Sequence, residues 1–259
     1  MPDNSRLTSD TLNNIKWYRK FAYHLYNRMW ASLDLLFPPN CGGCGATGSR
    51  WCGNCQKSIR LITPPWCERC GEQIAIPGLC QRCAPGASPE VTIRSWAYHE
   101  GPLRNAILRL KYHRDLTLGS ILAAPLVEFL VKLNWSVEIV LPVPLGVARL
   151  QERGYNQAAI LARPIALGAG RVYMSNALFK VKETSTQVGL TYIQRRENVK
   201  GAFRATEALV GGRSVLIIDD VATSKATLYA CAEALIASGA RRVYGLTLAR
   251  AGHSSTGVA

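Results

Sequence analysis

A chain of 259 residues is long enough for one large domain and a small accessory one. Hydrophobic residues at 48% and charged residues at 19% exclude a wholly disordered protein. The formal charge is +14, from 31 Lys and Arg against 17 Asp and Glu, and favours polyanionic partners: nucleic acid, phosphorylated substrates or anionic membrane surfaces.

In chain order, residues 1–16 are polar and read as a flexible N-terminus. Residues 17–37 read as an amphipathic helix, with Tyr18, Phe21, Leu25, Met29 and Leu33 at three- and four-residue steps and Pro38-Pro39 ending it. Such a helix can lie on a membrane or meet nucleic acid, although hydrophobic periodicity reports a buried face first. The N-terminus lacks the apolar stretch of a signal peptide. The most apolar later stretch, Ile121 to Leu133, holds Glu128 and Lys132 and is too short to cross a bilayer. The expectation is a cytoplasmic protein without a transmembrane segment, with the inner membrane face open to it as a peripheral site.

Residues 38–84 hold four Cys-x-x-Cys pairs: Cys41 and Cys44, Cys52 and Cys55, Cys67 and Cys70, Cys80 and Cys83. Two residues between cysteines let both sulfurs converge on one ion, and two pairs complete a tetrahedral Zn2+ site. A segment this poor in large apolar residues needs such staples to fold. Sequential pairing is the simplest and gives two structural zinc ions, with a cross-braced pairing as the alternative. Disulfides are the competing explanation, but nothing in the sequence suggests export. Eight thiolates on two Zn2+ would subtract four from the formal charge, leaving about +10. Lone Cys231 lies on an apolar helix face and reads as core.

Pro85 to Pro89 reads as a linker. From residue 91 to about 250, strands and helices alternate, which implies an α/β domain with a mostly parallel sheet flanked by helices. Ile139 to Val143, Val215 to Ile218 and Val243 to Leu248 are expected strands. Leu103, Ala106, Ile107 and Leu110 form one helical stripe, and Leu228, Cys231, Leu235 and Ile236 another, with Gly239 as its cap. Residues 251–259 read as a tail.

The most informative stretch runs from Val215 to Thr227. A buried strand ends in Asp219 and Asp220, and a hydroxyl-rich loop then opens a helix. Ligands of parallel sheets bind at the carboxyl ends of strands. Helix-start amides with the hydroxyls of Thr223, Ser224 and Thr227 can cradle a phosphate. The two carboxylates suit ribose hydroxyls or a Mg2+ with bound water. The same residues also fit aspartates that only cap the next helix.

This stretch resembles the signature of type I phosphoribosyltransferases, which bind 5-phosphoribosyl 1-pyrophosphate (PRPP). With it, in order, come Leu35-Leu36-Phe37-Pro38-Pro39-Asn40-Cys41, the paired cysteines, Leu110-Lys111-Tyr112, Leu141-Pro142-Val143-Pro144, Arg153-Gly154-Tyr155-Asn156-Gln157, Gln187 and Arg195-Arg196-Glu197-Asn198-Val199. The set resembles the ComF family over about residues 33–250. The resemblance implies a type I phosphoribosyltransferase fold behind a double zinc ribbon, a PRPP or similar ligand with Mg2+, and an association with DNA uptake and the competence machinery. It implies that Asp219 and Asp220 hold the ribose hydroxyls and that Thr223, Ser224, Lys225, Ala226 and Thr227 surround the 5′-phosphate. Pro142, Val143 and Pro144 would hold pyrophosphate. Arg153, Arg195 and Arg196 would be cationic contacts, the latter two on a closing loop. Guanidinium suits that task because its planar fork matches phosphate oxygens. Lys225 departs from the family, which has glycine there.

Three functions compete at this point: phosphoribosyl transfer with release of pyrophosphate, single-stranded DNA handling with a regulatory or inert PRPP site, and a structural adaptor whose zinc head docks a partner while the sugar site is inert. The basic cluster Arg104, Arg109, Lys111, His113 and Arg114 beside Tyr112 fits the second, and equally a rim around an anionic ligand.

Overall fold

A computed structural model of the chain describes residues 39–84, 90–184 and 191–252. The expected helix over 17–37, the linker, Gln187 and most of the tail lie outside those residues.

Seven strands and eight helices are described. In order they are α1 (Gly53–Lys57), β1 (Val91–Tyr98), α2 (Gly101–Tyr112), α3 (Leu118–Leu133), β2 (Ile139–Pro142), α4 (Val147–Arg153), α5 (Gln157–Gly168) and β3 (Val172–Tyr173). There follow β4 (Leu178–Lys180), α6 (Tyr192–Val199), β5 (Phe203–Ala205), α7 (Glu207–Val210), β6 (Ser214–Ala222), α8 (Ala226–Ala237) and β7 (Arg242–Arg250).

Five strands form one parallel sheet in the order β1-β7-β6-β2-β3. The continuous apolar runs of β6 and β2 follow from burial on both faces. Val215 and Ile217 of β6 join one core cluster, with Ile139 and Leu141 of β2 and Leu235 of α8. Leu216 and Ile218 join the opposite cluster, with Val140 and the helices α2, α3 and α5. Alternation along a strand sends neighbours to opposite faces, so every residue of these runs meets a core. Truncating Leu216 to Ala would cost about 2–5 kcal/mol.

The three expected strands are present, and β6 is longer than expected. It runs to Ala222, so Asp219 and Asp220 lie within it, Asp219 in register with Thr247 of β7. The pairing partner β7 is itself nine residues long and keeps the ladder going past the acids. The first expected helix stripe is buried, and so is the second, Cys231 included, except for the partly buried Ile236. α8 ends as the sequence suggests: Gly239 has φ +81°, its amide donates to Ile236, and the Ala240 amide donates to Leu235.

A separate antiparallel pair, β4 with β5, stands beside the sheet with α6 between the two strands in sequence. Among the described residues no helix is long and apolar enough to cross a membrane.

The cysteine-rich head contacts this domain at several places, among them the edge of β1, where the Ile62 amide donates to the Trp96 carbonyl at 3.0 Å and the Tyr98 amide to the Arg60 carbonyl at 2.9 Å. The Gly43 carbonyl accepts from Asn105 of α2 at 2.9 Å. On the other side, the Ile93 amide of β1 donates to Arg69 at 2.6 Å and Arg250 of β7 donates to the Gly71 carbonyl at 2.6 Å. Gly71 has φ +65°, and a Cβ there would stand 2.8 Å from the Ile93 oxygen, so only glycine permits this approach.

Candidate functional site: a sheet-end cleft and two tetrathiolate centres

The cysteines gather sequentially. Cys41, Cys44, Cys52 and Cys55 form one group, Cys67, Cys70, Cys80 and Cys83 the other, with the sulfurs of each group within 4.8 Å of one another. The Cys41–Cys55 and Cys44–Cys52 separations are 3.6 and 3.7 Å, and Cys70–Cys80 is 3.7 Å. A tetrahedron with Zn–S near 2.3 Å has an edge of about 3.8 Å, so both groups fit Zn2+. A disulfide would need about 2.05 Å. Backbone amides favour the thiolate at one cysteine of each group, while burial pushes Cys55, Cys70 and Cys83 up. Burial alone would push the Cys41 thiol up, yet backbone hydrogen bonds from Cys44, Cys52 and Gly43 and the Cys55 thiol outweigh it, bringing its pKa to about 6. Cys67 is lowered to about 6 in the same way. Four thiolates close the coordination sphere, so these centres hold structure and perform no chemistry on a substrate.

At the carboxyl ends of β2 and β6 lies a cleft of about 620 Å³. It is lined by Asp219 and Asp220, by all five residues from Thr223 to Thr227, by Val143 and Pro144, and by Arg153 and Arg195. Pro142 is not in the lining; it ends β2, in register with Ile218. Arg196 is not in the lining either.

The arginine pair is a correction. Arg195 and Arg196 lie on helix α6, not on a loop. Thr191 caps that helix: its hydroxyl accepts from the Gln194 amide, and the Gln194 side chain accepts from the Thr191 amide. Adjacent residues of a helix point about 100° apart, so one of the two faces the cleft and the other does not.

Lys225 takes the backbone that glycine would take, with φ +64° and ψ 4°. Its side chain is buried, with Nζ 3.0 Å from Glu72 Oε2 of the head. Ser224 stands at the start of α8, its hydroxyl 3.4 Å from the Ala226 amide.

The Arg153-Gly154-Tyr155-Asn156-Gln157 stretch fastens three walls together. Asn156 caps α5 by accepting from the Ala158 amide, and its Nδ2 donates to the Val143 carbonyl at 2.9 Å. The Tyr155 hydroxyl donates to the Leu110 carbonyl near the end of α2. Arg153 bonds Gln157 at 2.9 Å and lies over the Tyr112 ring, 5.2 Å from its centroid.

Sequence reasoning placed Lys111 only in the basic cluster and assigned neither His99 nor Lys180 to the site, yet all three line the cleft. Lys111 Nζ is 3.0 Å from Asp220 Oδ2. Lysine in a Leu-Lys-Tyr string at a helix end carries no local mark of such a partner. Burial first, then Lys111, lowers the pKa of His99 and keeps the imidazole neutral. Burial, with the neighbouring Asp220 charge, raises Asp219 to about 7 against the opposing pull of Lys111. A resident Mg2+ does not fit this pair: one carboxylate is already matched by an ammonium and the other resists ionisation near neutral pH.

Fold and site together define a class: a parallel α/β domain with a cleft at its strand ends, carrying two four-cysteine groups that fit zinc. Residues 32–84 match the family described as a double zinc ribbon domain. The chain is 32% identical to DNA utilization protein YhgH of Salmonella typhimurium over 203 residues, 75% of this chain and 88% of that one. It is 30% identical to Competence protein F of Haemophilus influenzae over 214 residues, 77% of this chain and 90% of that one. The chain belongs to the ComF family. The glutamine PRPP amidotransferase of B. subtilis, solved with ADP and GMP, aligns at 20% identity and a TM-score of 0.33, over 51% of this chain and 25% of that one. That likeness is too distant to carry an argument.

Proposed function

We propose that the cleft binds PRPP or a closely related pentose phosphate. The observation that carries this reading is the convergence of Asp219 and Asp220, the 223–227 loop and Val143-Pro144 on one cleft at the strand ends. The opening turn of α8 offers amides without intrahelical partners to the 5′-phosphate. Asp219 and Asp220 accept from ribose hydroxyls. Arg153, Arg195 and Lys180 supply cations at the cleft wall for a pyrophosphate group, beside the Val143-Pro144 segment.

If the site turns over, a nucleophile displaces pyrophosphate from C1 of the sugar. The protein then contributes position and charge: carboxylates beside a cationic ribose, guanidinium groups on the departing oxygens. Any magnesium arrives with the pyrophosphate of the ligand. Calorimetric titration of the zinc-loaded chain with PRPP, with and without Mg2+, tests the reading. Saturable heat at one site per chain supports it, and no heat under either condition ends it.

A second reading is single-stranded DNA handling, in keeping with the names of the relatives. One observation favours it: Tyr112 is 60% exposed at the edge of the cleft, with Arg153 over its ring. The rest of the basic cluster is partly engaged, since Arg109 pairs with Asp115 at 3.1 Å and Lys111 with Asp220. Oligonucleotide affinity measured against salt separates the readings: a steep slope requires broad phosphate contact.

A further inference from the structure

Lys225 raises a physical difficulty that its neighbours resolve. A non-glycine residue in the left-handed region costs about 1 kcal/mol or more. A buried ammonium also needs a partner. Lys225 is 8% exposed, and the carboxylate 3.0 Å away belongs to Glu72, a head residue 153 positions earlier in the chain. That carboxylate is itself fixed from β7, where Arg250 Nη2 stands 2.6 Å from it. The backbone of Glu72 is part of the metal knuckle, because its carbonyl accepts from the Cys67 amide at 2.6 Å. A second link runs beside the first. Tyr229, one turn into α8, packs against the Cys67, Cys70 and Cys83 cluster, and its amide donates to the Lys225 carbonyl at 3.0 Å. The contacts described for the first cysteine group lead instead to α2 and the start of α3, through Gly43 with Asn105 and Pro102 and through Gly42 with Leu118.

We infer that Glu72 is a positioning residue for the 223–227 loop, and that metal held by Cys67, Cys70, Cys80 and Cys83 is thereby coupled to binding of the ligand's phosphate end. The inference rests on the reading of the cleft as a pentose-phosphate site. Closing the knuckle around Zn2+ places the Glu72 carboxylate; the carboxylate holds Lys225; Lys225 in its left-handed conformation turns the loop into α8. Linkage makes the effect reciprocal, so a bound phosphate ester must also retain that zinc. The metal in this view acts on the cleft without touching the ligand.

The test uses the full chain loaded with two zinc ions, ribose 5-phosphate as the probe, and two readouts: affinity by calorimetry and zinc release to a chromogenic chelator. In the wild type, saturating ribose 5-phosphate should slow release of one of the two ions several-fold and leave the other unchanged. Glu72→Gln should weaken ribose 5-phosphate about tenfold with both zinc ions still bound at the start, and should abolish the ligand's effect on release. Adding Lys225→Gly to it should recover most of the lost affinity, since glycine adopts the loop conformation unaided. Should Glu72→Gln misfold, Lys225→Met breaks the same ion pair from the other side and must reproduce the weakened binding. A wild-type chain that ignores ribose 5-phosphate and PRPP alike overturns the cleft reading and the coupling with it. A wild type that binds, beside variants that bind equally well and release zinc identically, overturns the coupling alone.

Discussion

Lys111 Nζ stands 3.0 Å from Asp220 Oδ2, tying the last turn of α2 to the acidic pair of β6. Asp220 is buried and Lys111 nearly so, which gives the pair weight that a surface ion pair lacks. It also cancels one of the two negative charges that the sequence offers to a ligand. Lys111→Met leaves a buried carboxylate alone and should destabilise the chain by about 3 kcal/mol. Adding Asp220→Asn should recover much of that loss. Urea unfolding of the two variants checks both statements.

Asp219, raised to about 7, sets a pH dependence. Ionised, its carboxylate accepts more strongly from ribose hydroxyls than the protonated form does, so ribose 5-phosphate affinity should climb between pH 6 and pH 8. Stability should move the other way. Between the ordinary carboxyl value of 3.8 and about 7, the folded chain keeps a proton that the unfolded chain releases, so stability falls as pH rises through that window. Asp219→Asn should flatten both trends, as read by calorimetry and by thermal melts over the neutral part of the range.

Arg195 lines the cleft and Arg196 does not, although they are neighbours in sequence. Losing a charge-assisted contact costs about 1.5–3 kcal/mol. Arg195→Ala should therefore weaken PRPP about tenfold or more, while Arg196→Ala should leave its affinity within twofold. Equal losses would mean that α6 is turned differently from the arrangement described.

Asn156 serves two elements, as the cap of α5 and as donor to the Val143 carbonyl. Asn156→Ala should lower stability by about 1–2 kcal/mol. Because it frees the segment proposed to hold pyrophosphate, PRPP affinity should fall more than ribose 5-phosphate affinity. Parallel titrations of the two ligands decide this.

The sequential arrangement of the zinc centres predicts stoichiometries. Cys41→Ser with Cys52→Ser should leave about one zinc per chain. Cys44→Ser with Cys70→Ser should leave none tightly bound, since each group then lacks a ligand. Metal analysis after gel filtration reads the result directly, and a cross-braced pairing would give a different pattern.

Much of this was legible in one dimension. The strand and helix runs, the buried face holding Cys231 and the two-by-two grouping of cysteines follow from local pattern: apolar periodicity reports burial, and a two-residue spacing brings sulfurs onto one ion. The strand-end location of the cleft followed too, because parallel sheets collect ligands there. The extent of β6 was less legible. Its two acids belong to the strand because β7 supplies ladder partners beyond Ile218, which no local signal announces. The arginine pair was misplaced for a similar reason: two adjacent charges look equivalent in a sequence, and only a helix separates their directions.

By itself, then, the sequence determined the alternation of strands and helices, the metal-binding chemistry and the stretch around which a ligand is to be sought, all properties of residues close together in the chain. Only the tertiary structure decided which distant charges meet: Lys111 with Asp220, and Lys225 with Glu72 across 153 positions. The physical reason is that burial makes an ion pair matter, and burial is created by packing elements whose separation in sequence says nothing of their distance in space.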